Sequence, residues 1–262
     1  MISPDVLYPT LCALKPAKSK TAVISAVGAG GKTHTLYFLA NLLKGHGHSV
    51  CVTTTTKMYM PKPGQVDNQI QFSELDNHSN TSVGITFIYA SVVQDSGQQS
   101  KATGMTEQHV NELALLALFD FILVEADGAK GLPLKAPARH EPCIPKCTHL
   151  VIGVTSAELF LAPADATRIH RWPLFSELTG CEEGSIINEQ VIGQLLTSNE
   201  GLFKNTPEGS QKVWLINKLD QVKEPALIAA LAENLLKKVP GLDEVWLTQL
   251  NGRQPINQIL TR

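Results

Sequence analysis

The first fifty residues have a hydrophobic pattern that predicts a strand, a helix and a second strand. Apolar and β-branched residues run together over 21–27 and again over 49–53, and apolar residues recur at helical spacing over 32–43 between them. Glycines at positions 45 and 47 end the helical pattern. A strand, a helix and a strand in this order are typical of two parallel strands joined by a crossover helix.

The rest of the chain continues this alternation. Residues 57–82, which are rich in Pro, Asn, Gln and Ser, are predicted to form a variable loop excursion. The later patterns predict strands within 83–93 and at 119–125, 149–154, 213–217 and 244–248, and helices over about 106–118, with Thr106 as N-cap, and over 225–238. We therefore expect a single α/β domain over 1–262, with a mostly parallel sheet and helices on both faces.

Composition and charge narrow the class of protein. The 262 residues include 22 Lys and Arg against 24 Asp and Glu, and this net charge of −2 argues against nucleic-acid binding. The most apolar stretch, 113–124, contains Asp120 and is shorter than a membrane span, which needs about 20 residues. The five scattered cysteines do not suggest a disulfide framework, so we expect a cytoplasmic protein without a membrane partner.

The clearest chemical signal is a glycine-rich segment between the first predicted strand and helix: Gly28, Ala29, Gly30, Gly31, Lys32 and Thr33. Glycines allow backbone N–H groups to converge on a phosphate chain, and the helix N-terminus adds partial positive charge. In this hypothesis Lys32 contacts the β- and γ-phosphates, and the Thr33 hydroxyl binds Mg²⁺. Ala26 stands where the usual motif has its first glycine. The alternative is a glycine-rich turn without a ligand.

The second signal is acidic and follows the most convincing buried strand. Glu125 ends the apolar run, and Asp127 and Gly128 come directly after it. At the carboxyl end of a strand beside the glycine loop, Glu125 would hold Mg²⁺, directly or through water. Asp127 would polarise a water molecule or contact an acceptor, and Gly128 would leave room near a γ-phosphate. The alternative is an ordinary acidic turn.

The third signal is Asn217-Lys218-Leu219-Asp220, which follows another predicted strand and resembles the guanine-specificity motif of GTPases. In that motif Asp takes the N1 and N2 hydrogens of guanine, Asn meets N7 and O6, and the Lys stem lies along the ring. Adenine would leave these polar groups unpaired. The alternative is a solvated turn at the end of a strand.

Two weaker groups complete the candidate site. Threonines at 53–56 follow the second predicted strand, and Thr54 is the candidate to contact Mg²⁺ or the γ-phosphate, although threonine is also a common strand residue. The cationic candidates for an anionic second substrate, each of which could instead be a solvated surface residue, are Lys130, Lys135, His170 and Arg171. The segments 128–147 and 156–210 would then lie on the substrate or partner side.

Several of these stretches together resemble the YqeC family, which is associated with selenium-dependent molybdenum hydroxylases. The matching stretches are 27–34, 53–57, 124–130 with 134–137, 169–171 and 217–220. The resemblance adds His34 to the nucleotide-binding segment. It implies a P-loop NTPase-like fold, and a molybdenum or selenium enzyme or its cofactor precursor as partner. The glycine loop and the strand-end glutamate are also similar to those of dethiobiotin synthetase, which phosphorylates a small carboxylate.

Three functional hypotheses follow. The first is a Mg²⁺-dependent NTPase, with GTP favoured over ATP, in which Lys32 stabilises the transferring phosphoryl group and Asp127 or a threonine positions water. The second is a phosphotransferase or nucleotidyltransferase that acts on an anionic cofactor precursor. The third is a non-enzymatic module whose shape, and hence its docking to a partner, depends on the bound nucleotide.

Overall fold

The computed structural model describes residues 2–14, 21–75, 82–94 and 100–262. In chain order its strands are β1 (Ala22–Gly28), β2 (Ser49–Thr54), β3 (Lys57–Tyr59), β4 (Asn68–Gln71), β5 (Gly84–Tyr89), β6 (Ser91–Gln94), β7 (Ser100–Thr103), β8 (Phe121–Glu125), β9 (Leu134–Lys135), β10 (Leu150–Ser156), β11 (Ile169–His170), β12 (Gln211–Asn217), β13 (Glu244–Thr248) and β14 (Ile256–Thr261). The α-helices are α1 (Tyr8–Ala13), α2 (Lys32–Gly45), α3 (Glu107–Leu116), α4 (Trp172–Thr179), α5 (Glu189–Thr197) and α6 (Pro225–Lys238). Short 3₁₀ helices span Pro4–Leu7, Phe72–Glu74, Ala157–Leu159 and Leu219–Gln221.

Nine strands form the main sheet, in the order β14–β13–β12–β10–β1–β8–β2–β5–β4. Neighbouring strands are parallel throughout, except for the antiparallel pair β13 and β14 at one edge. The expected mostly parallel sheet is confirmed. Because the strands run the same way, the ends of β1, β2, β8, β10 and β12 meet at one side of the sheet, which we call the carboxyl edge.

The residues of β1 show why helices cover both faces of this sheet. All seven residues of the strand are buried, as expected for a parallel strand with helices on either side. Ile24 and Ala26 belong to the cluster that contains residues of α1 and α2. Val23 and Val27, which point the other way, belong to clusters built with α3 and with α4, α5 and α6. The expected helices on both faces are therefore present.

The segment 57–82 departs from the loop excursion predicted for it. Its polar stretch contains β4, which pairs with β5 and extends the main sheet at its outer edge. An edge strand needs no continuous apolar run, and β4 has no fully buried residue, so hydrophobic periodicity could not reveal it. Residues 76–81 of the predicted excursion lie outside the described residues.

A second, three-stranded antiparallel sheet of β3, β7 and β6 lies at the carboxyl edge; we call it the small sheet. It is tied to the end of β2, because the Met105 N–H donates to the Thr54 carbonyl at 2.9 Å. β9 and β11 form a further parallel pair. Neither structure was expected from the sequence.

The remaining predicted elements agree closely with the structure. Thr106 caps α3, since its hydroxyl accepts a hydrogen bond from the His109 N–H at 3.1 Å. The helix over 225–238 and the strand over 244–248 have the predicted bounds. The short amphipathic helices α4 and α5 were not predicted. Among the described helices, none has both the length and the apolar character that crossing a bilayer requires.

Candidate functional site

A cavity of about 860 Å³ opens at the carboxyl edge, between the main sheet and the small sheet. Its wall is built from 30–34, 57–59, Lys101, Glu125, 128–132, Glu141, 170–171, 217–218 and Asn251. The parallel topology explains this convergence, because β1, β2, β8 and β12 each deliver the residues that follow them to the same edge. The segments expected on the substrate side, 128–147 and 156–210, both contribute to the wall.

The glycine loop has a backbone that other residues could not adopt without strain. Gly28, Gly30 and Gly31 have φ values of 90°, 87° and 138°. A Cβ atom on Gly31 would also lie 2.5 Å from the Asn217 Nδ2 atom. At Ala26 the chain is still within β1 and pairs with β8 and β10, so no glycine is needed where the usual motif begins. The sequence therefore forms a short loop, confined to 28–31.

The backbone amides of this loop divide into two groups. Those of Gly28, Ala29 and Gly30 donate within the protein, to the Asp127 carboxylate at 2.9 Å, the Val154 carbonyl at 2.8 Å and the Leu132 carbonyl at 3.0 Å. The next four amides, those of residues 31–34, have no hydrogen-bond partner among the described residues. These four groups surround the N-terminus of α2 at the cavity wall, where an anion would be favoured.

Lys32 is folded back onto the loop that precedes it. Its ammonium donates to the Gly28 carbonyl at 2.8 Å and lies 3.1 Å from Asp127 Oδ1. Burial alone would lower the pKa of Lys32, but the carboxylates of Asp127 and Glu125 outweigh burial and raise it. The amine is therefore charged, and it still lines the cavity.

Thr33 and Glu125 form the second feature of the cavity floor. The Thr33 hydroxyl donates to Glu125 Oε2 at 2.5 Å, and both side chains line the cavity. Burial raises the pKa of the Glu125 carboxyl above its ordinary value, while Lys32 and the Thr33 hydrogen bond act in the opposite direction. A hydroxyl and a carboxylate are oxygen donors of the kind that Mg²⁺ selects, so this pair fits the predicted metal.

A row of charges of alternating sign, which we call the charge chain, runs along the cavity wall and beneath it: Lys32, Asp127, Lys135, Glu141 and Arg171. Lys135 is 2% exposed and lies 3.0 Å from Asp127 Oδ2 and 2.7 Å from Glu141 Oε2. Arg171 then makes two parallel hydrogen bonds to Glu141, at 2.5 and 2.9 Å. Each charge is compensated by its neighbours.

Two residues that the sequence predicts in the site, Asp127 and Lys135, belong to the charge chain and do not line the cavity. Asp127 is 1% exposed and does not line the cavity, so its carboxylate holds Lys32, Lys135 and the Gly28 amide in place. Its Oδ1 atom has no aligned hydrogen-bond donor among the described residues. Lys135, expected to clamp an anionic substrate, also lies beneath the wall and donates to the Gly128 carbonyl.

The other substrate candidates do reach the cavity. Lys130, His170 and Arg171 all line its wall, with Lys130 exposed. Burial and the nearby charges of Arg171, Lys135 and Lys130 lower the pKa of His170 to about 4, so its imidazole is neutral at pH 7. His34 is also exposed at the wall.

Asn217 braces the glycine loop across the sheet. Its side chain donates to the Gly30 carbonyl at 3.1 Å and accepts from the Leu250 amide at 3.2 Å. Lys218 lines the cavity and pairs with Glu158 at 2.6 Å, whereas Asp220 is exposed, contacts Gln221 and does not line the wall. The structure thus brings two of the three predicted base-binding side chains to the cavity.

Thr54 lies below the surface of the site. Its hydroxyl donates to the Glu125 carbonyl at 2.8 Å, and the side chain is fully buried. It joins the ends of β2 and β8 and does not line the cavity. The neighbouring Thr53 hydroxyl donates to the Ile88 carbonyl.

Several wall residues escaped sequence reasoning: Lys57, Tyr59, Lys101, Glu141 and Asn251. Lys57 and Tyr59 could have been identified from their spacing, because residues two apart on a strand lie on the same face. Both are exposed while Met58 between them is buried, but the polar composition of this stretch hid the strand.

The chain was compared with known proteins. The family model described as "YqeC protein" matches residues 24–173. The chain is 35% identical to "Uncharacterized protein YqeC" of Escherichia coli (strain K12) over 231 residues, which cover 88% of each chain. The family match spans the glycine loop, the strand-end acids and the 170–171 segment.

Proposed function

The chain belongs to the YqeC family, and from this premise we propose that it is a Mg²⁺-dependent NTPase of P-loop type that prefers GTP to ATP. One observation carries the proposal. Four consecutive amides, those of 31–34, have no partner in the part of the chain that the structure describes, and they open onto the same cavity as the charged Lys32 amine and the Thr33–Glu125 oxygen pair. Phosphate binding needs these three kinds of group together.

The role of Lys32 follows from its present contacts. When a triphosphate occupies the cavity, the ammonium exchanges the Gly28 carbonyl for phosphate oxygens and stabilises the negative charge that develops during transfer. Asp127 stays compensated after this exchange, because Lys135 and the Gly28 amide remain bound to its Oδ2 atom. In this mechanism Asp127 is a positioning residue that holds the lysine and the loop.

Thr33 and Glu125 would hold the Mg²⁺ ion. When bound, Mg²⁺ supplies positive charge to the phosphate oxygens. Mg²⁺ would bind the ionised form of Glu125, which Lys32 and the Thr33 hydrogen bond favour against the effect of burial on its pKa, and the Thr33 hydroxyl would exchange its hydrogen bond to Glu125 for the ion. Thr54 contributes indirectly in this proposal, because it fixes the backbone of Glu125.

GTP preference rests on the segment 217–220. Lys218 lies at the cavity wall, and the Asp220 carboxylate is exposed two residues later, outside the wall, where it would accept the N1 and N2 hydrogens of a guanine that extends beyond the cavity. Asn217 would act through the glycine loop that it already braces. Replacing Asp220 by Asn should weaken GTP binding and relax discrimination toward xanthosine nucleotides.

Phosphoryl transfer to a small acceptor is a second candidate function. It is favoured by the charge of the cavity wall, which carries six Lys and Arg side chains against two Glu. The family resemblance implies a role in the maturation of a selenium- or molybdenum-dependent enzyme. Both hydrolysis and phosphoryl transfer are compatible with that role. Dependence of nucleotide consumption on an added small molecule would favour transfer over hydrolysis.

The test combines binding and turnover in matched variants. A thermal-shift panel of ATP, GTP, CTP and their diphosphates with Mg²⁺ should show stabilisation by GTP, amounting to about 2.7 kcal/mol at 100 times the Kd. Lys32→Ala and Thr33→Ala should abolish phosphate release while circular dichroism shows a folded chain. The control is Lys62→Ala, which removes an exposed lysine outside the cavity. Full turnover by Lys32→Ala would refute the proposal.

A further inference from the structure

The cavity is longer than a single phosphate site requires. Asn217 is the last residue of β12, and Lys57 lies three residues after the end of β2. The strands β10, β1 and β8 lie between β12 and β2 in the sheet. Four strand spacings of about 4.8 Å place these two ends about 19 Å apart. The glycine loop follows β1 and reaches toward β12, where the Asn217 side chain donates to the Gly30 carbonyl at 3.1 Å. A nucleotide with its base toward β12 therefore leaves the side toward β3 open.

This second side, which we call the β3 side, comprises the cavity-lining residues Lys57 and Tyr59 of β3, Lys101 of β7, and Lys130, which follows β8, the neighbour of β2 in the main sheet. Its electrostatics differ from those of the glycine loop. Lys57 and Lys130 are exposed, and neither makes an ion pair or hydrogen bond with any described residue. By contrast, Lys32, Lys218 and Arg171 at the same wall are each paired with a carboxylate. Two uncompensated cations at a shared wall favour an anionic ligand.

Tyr59 adds a flat apolar surface to this side. Its side chain is 54% exposed although it lies in the cavity wall, and the Lys101 ammonium lies 4.7 Å from the ring centroid. An exposed aromatic ring is a platform on which a planar ring stacks. The neutral imidazole of His170 provides a hydrogen-bonding group that neither repels nor attracts charge.

We propose that the β3 side is a second ligand site, which binds a small molecule carrying both a dianionic group and a planar ring. Lys57 and Lys130 bind the dianion, and Tyr59 stacks on the ring. The inference rests on the proposed function only in that the glycine loop is taken as the nucleotide's site.

The experiment uses two probes of matched charge. Cytidine 5′-monophosphate carries a dianion and a ring, whereas ribose 5-phosphate carries only the dianion. Calorimetric titrations are made with the full chain, alone and after saturation with Mg²⁺ and a non-hydrolysable GTP analogue. Both probes should bind the saturated protein, and cytidine monophosphate should bind about tenfold more tightly because of stacking.

Variants assign the binding to its residues. Lys57→Ala and Lys130→Ala should each weaken both probes about ten- to hundredfold, the range for a lost charge-assisted contact. Tyr59→Ala should remove the advantage of cytidine monophosphate over ribose 5-phosphate, and Tyr59→Phe should keep it. Lys62→Ala is the matched control, an exposed lysine on the same segment but outside the cavity, and should change neither probe.

The outcomes separate the two proposals. If the GTP analogue does not bind but cytidine monophosphate binds and depends on Lys57, the nucleotide proposal fails and the second site stands. The second site is refuted if neither probe binds either form of the protein. It is also refuted if Lys57→Ala and Lys130→Ala bind the probes as Lys62→Ala does.

Discussion

The charge chain and the β3 side lie against the same cavity, but their charged side chains differ in burial and in ion pairing. In the charge chain every ionic side chain is bonded to a neighbour of opposite sign, and the central members are almost fully buried. On the β3 side, Lys57 and Lys130 are exposed and make no ion pair with a described residue. The first arrangement fixes geometry, whereas the second keeps positive charge available for a ligand.

The contrast between Lys130 and Lys135 is the sharpest form of this comparison. Both follow the acidic end of β8, and both were expected to clamp an anionic substrate. Lys135 instead bridges Asp127 and Glu141, so its removal would bring two buried carboxylates together without the cation between them, and each would keep only its outer cationic partner, Lys32 or Arg171. Removing Lys130 would leave no such unpaired group.

The largest predicted effect is therefore that of Lys135→Met. We expect the free energy of unfolding to fall by about 3–5 kcal/mol, the usual result when one partner of a buried ion pair is removed. Urea denaturation followed by circular dichroism measures this change. Lys130→Met is the control and should alter stability by less than about 0.5 kcal/mol. Equal losses of stability in the two variants would contradict the difference in ion pairing between the charge chain and the β3 side.

The second prediction concerns acid. Burial would raise the pKa of Glu141, but the hydrogen bonds from Arg171 and Lys135 outweigh it and lower the pKa to about 2. A carboxyl with a lowered pKa stabilises the fold above its unfolded value of about 4.5, and this contribution is lost as the pH falls toward 2.

Glu141→Gln tests this window. Above about pH 4.5 the original protein should be more stable than the variant by a constant amount, at most roughly 1.5–3 kcal/mol, the contribution of a charged hydrogen bond. This difference in stability should shrink as the pH falls from about 4.5 to 2. Glu183→Gln, at an exposed position, is the control and should show no such narrowing. A difference that stays constant down to pH 2 would contradict the lowered pKa.

Asn217 provides the third prediction, because it joins the glycine loop to the far side of the sheet. Asn217→Ala would leave the Gly30 carbonyl and the Leu250 amide without this partner, at a cost of about 1–2 kcal/mol. Thermal unfolding measures the loss. Asn234→Ala, at an exposed helix position, should have little effect. Equal midpoints for the two variants would show that the brace is not important for stability.

The smallest predicted effect is on His170. Nuclear magnetic resonance titration of its imidazole should give a midpoint near pH 4, compared with the ordinary value of about 6.5. Burial contributes most to this lowering, and Lys130 is among the charges that add to it. Lys130→Ala should therefore raise the midpoint slightly, whereas Lys62→Ala should leave it unchanged. A midpoint near 6.5 in the original protein would show that His170 is solvated.

The sequence was most informative where a signal is local. The pattern of β1, the glycine loop and α2 predicted their order and the position of Lys32 and Thr33, because hydrophobic periodicity and glycine spacing act over a few residues. Glu125 was also recognisable as a strand-end acid, and the parallel topology then brought it to Thr33.

What the sequence could not reveal depends on contacts between distant residues. Lys135 is buried because Arg171 completes the compensation of Glu141 from 30 residues away. Asn217 braces a carbonyl 187 residues earlier in the chain. Tyr59 and Lys101 line one cavity because β3, which lies in the stretch predicted as a loop, pairs with β7 more than 40 residues later in the chain. No local pattern encodes these pairings.

The folded-back position of Lys32 has a consequence for how selective the site is. An incoming anion does not meet a bare ammonium; it competes with the Asp127 carboxylate and the Gly28 carbonyl for a cation that is already satisfied. A ligand with several charged oxygens would bind the amides of residues 31–34 and also replace both contacts of Lys32, whereas a single chloride ion would not replace both. The paired state of Lys32 therefore favours polyanions over monovalent anions.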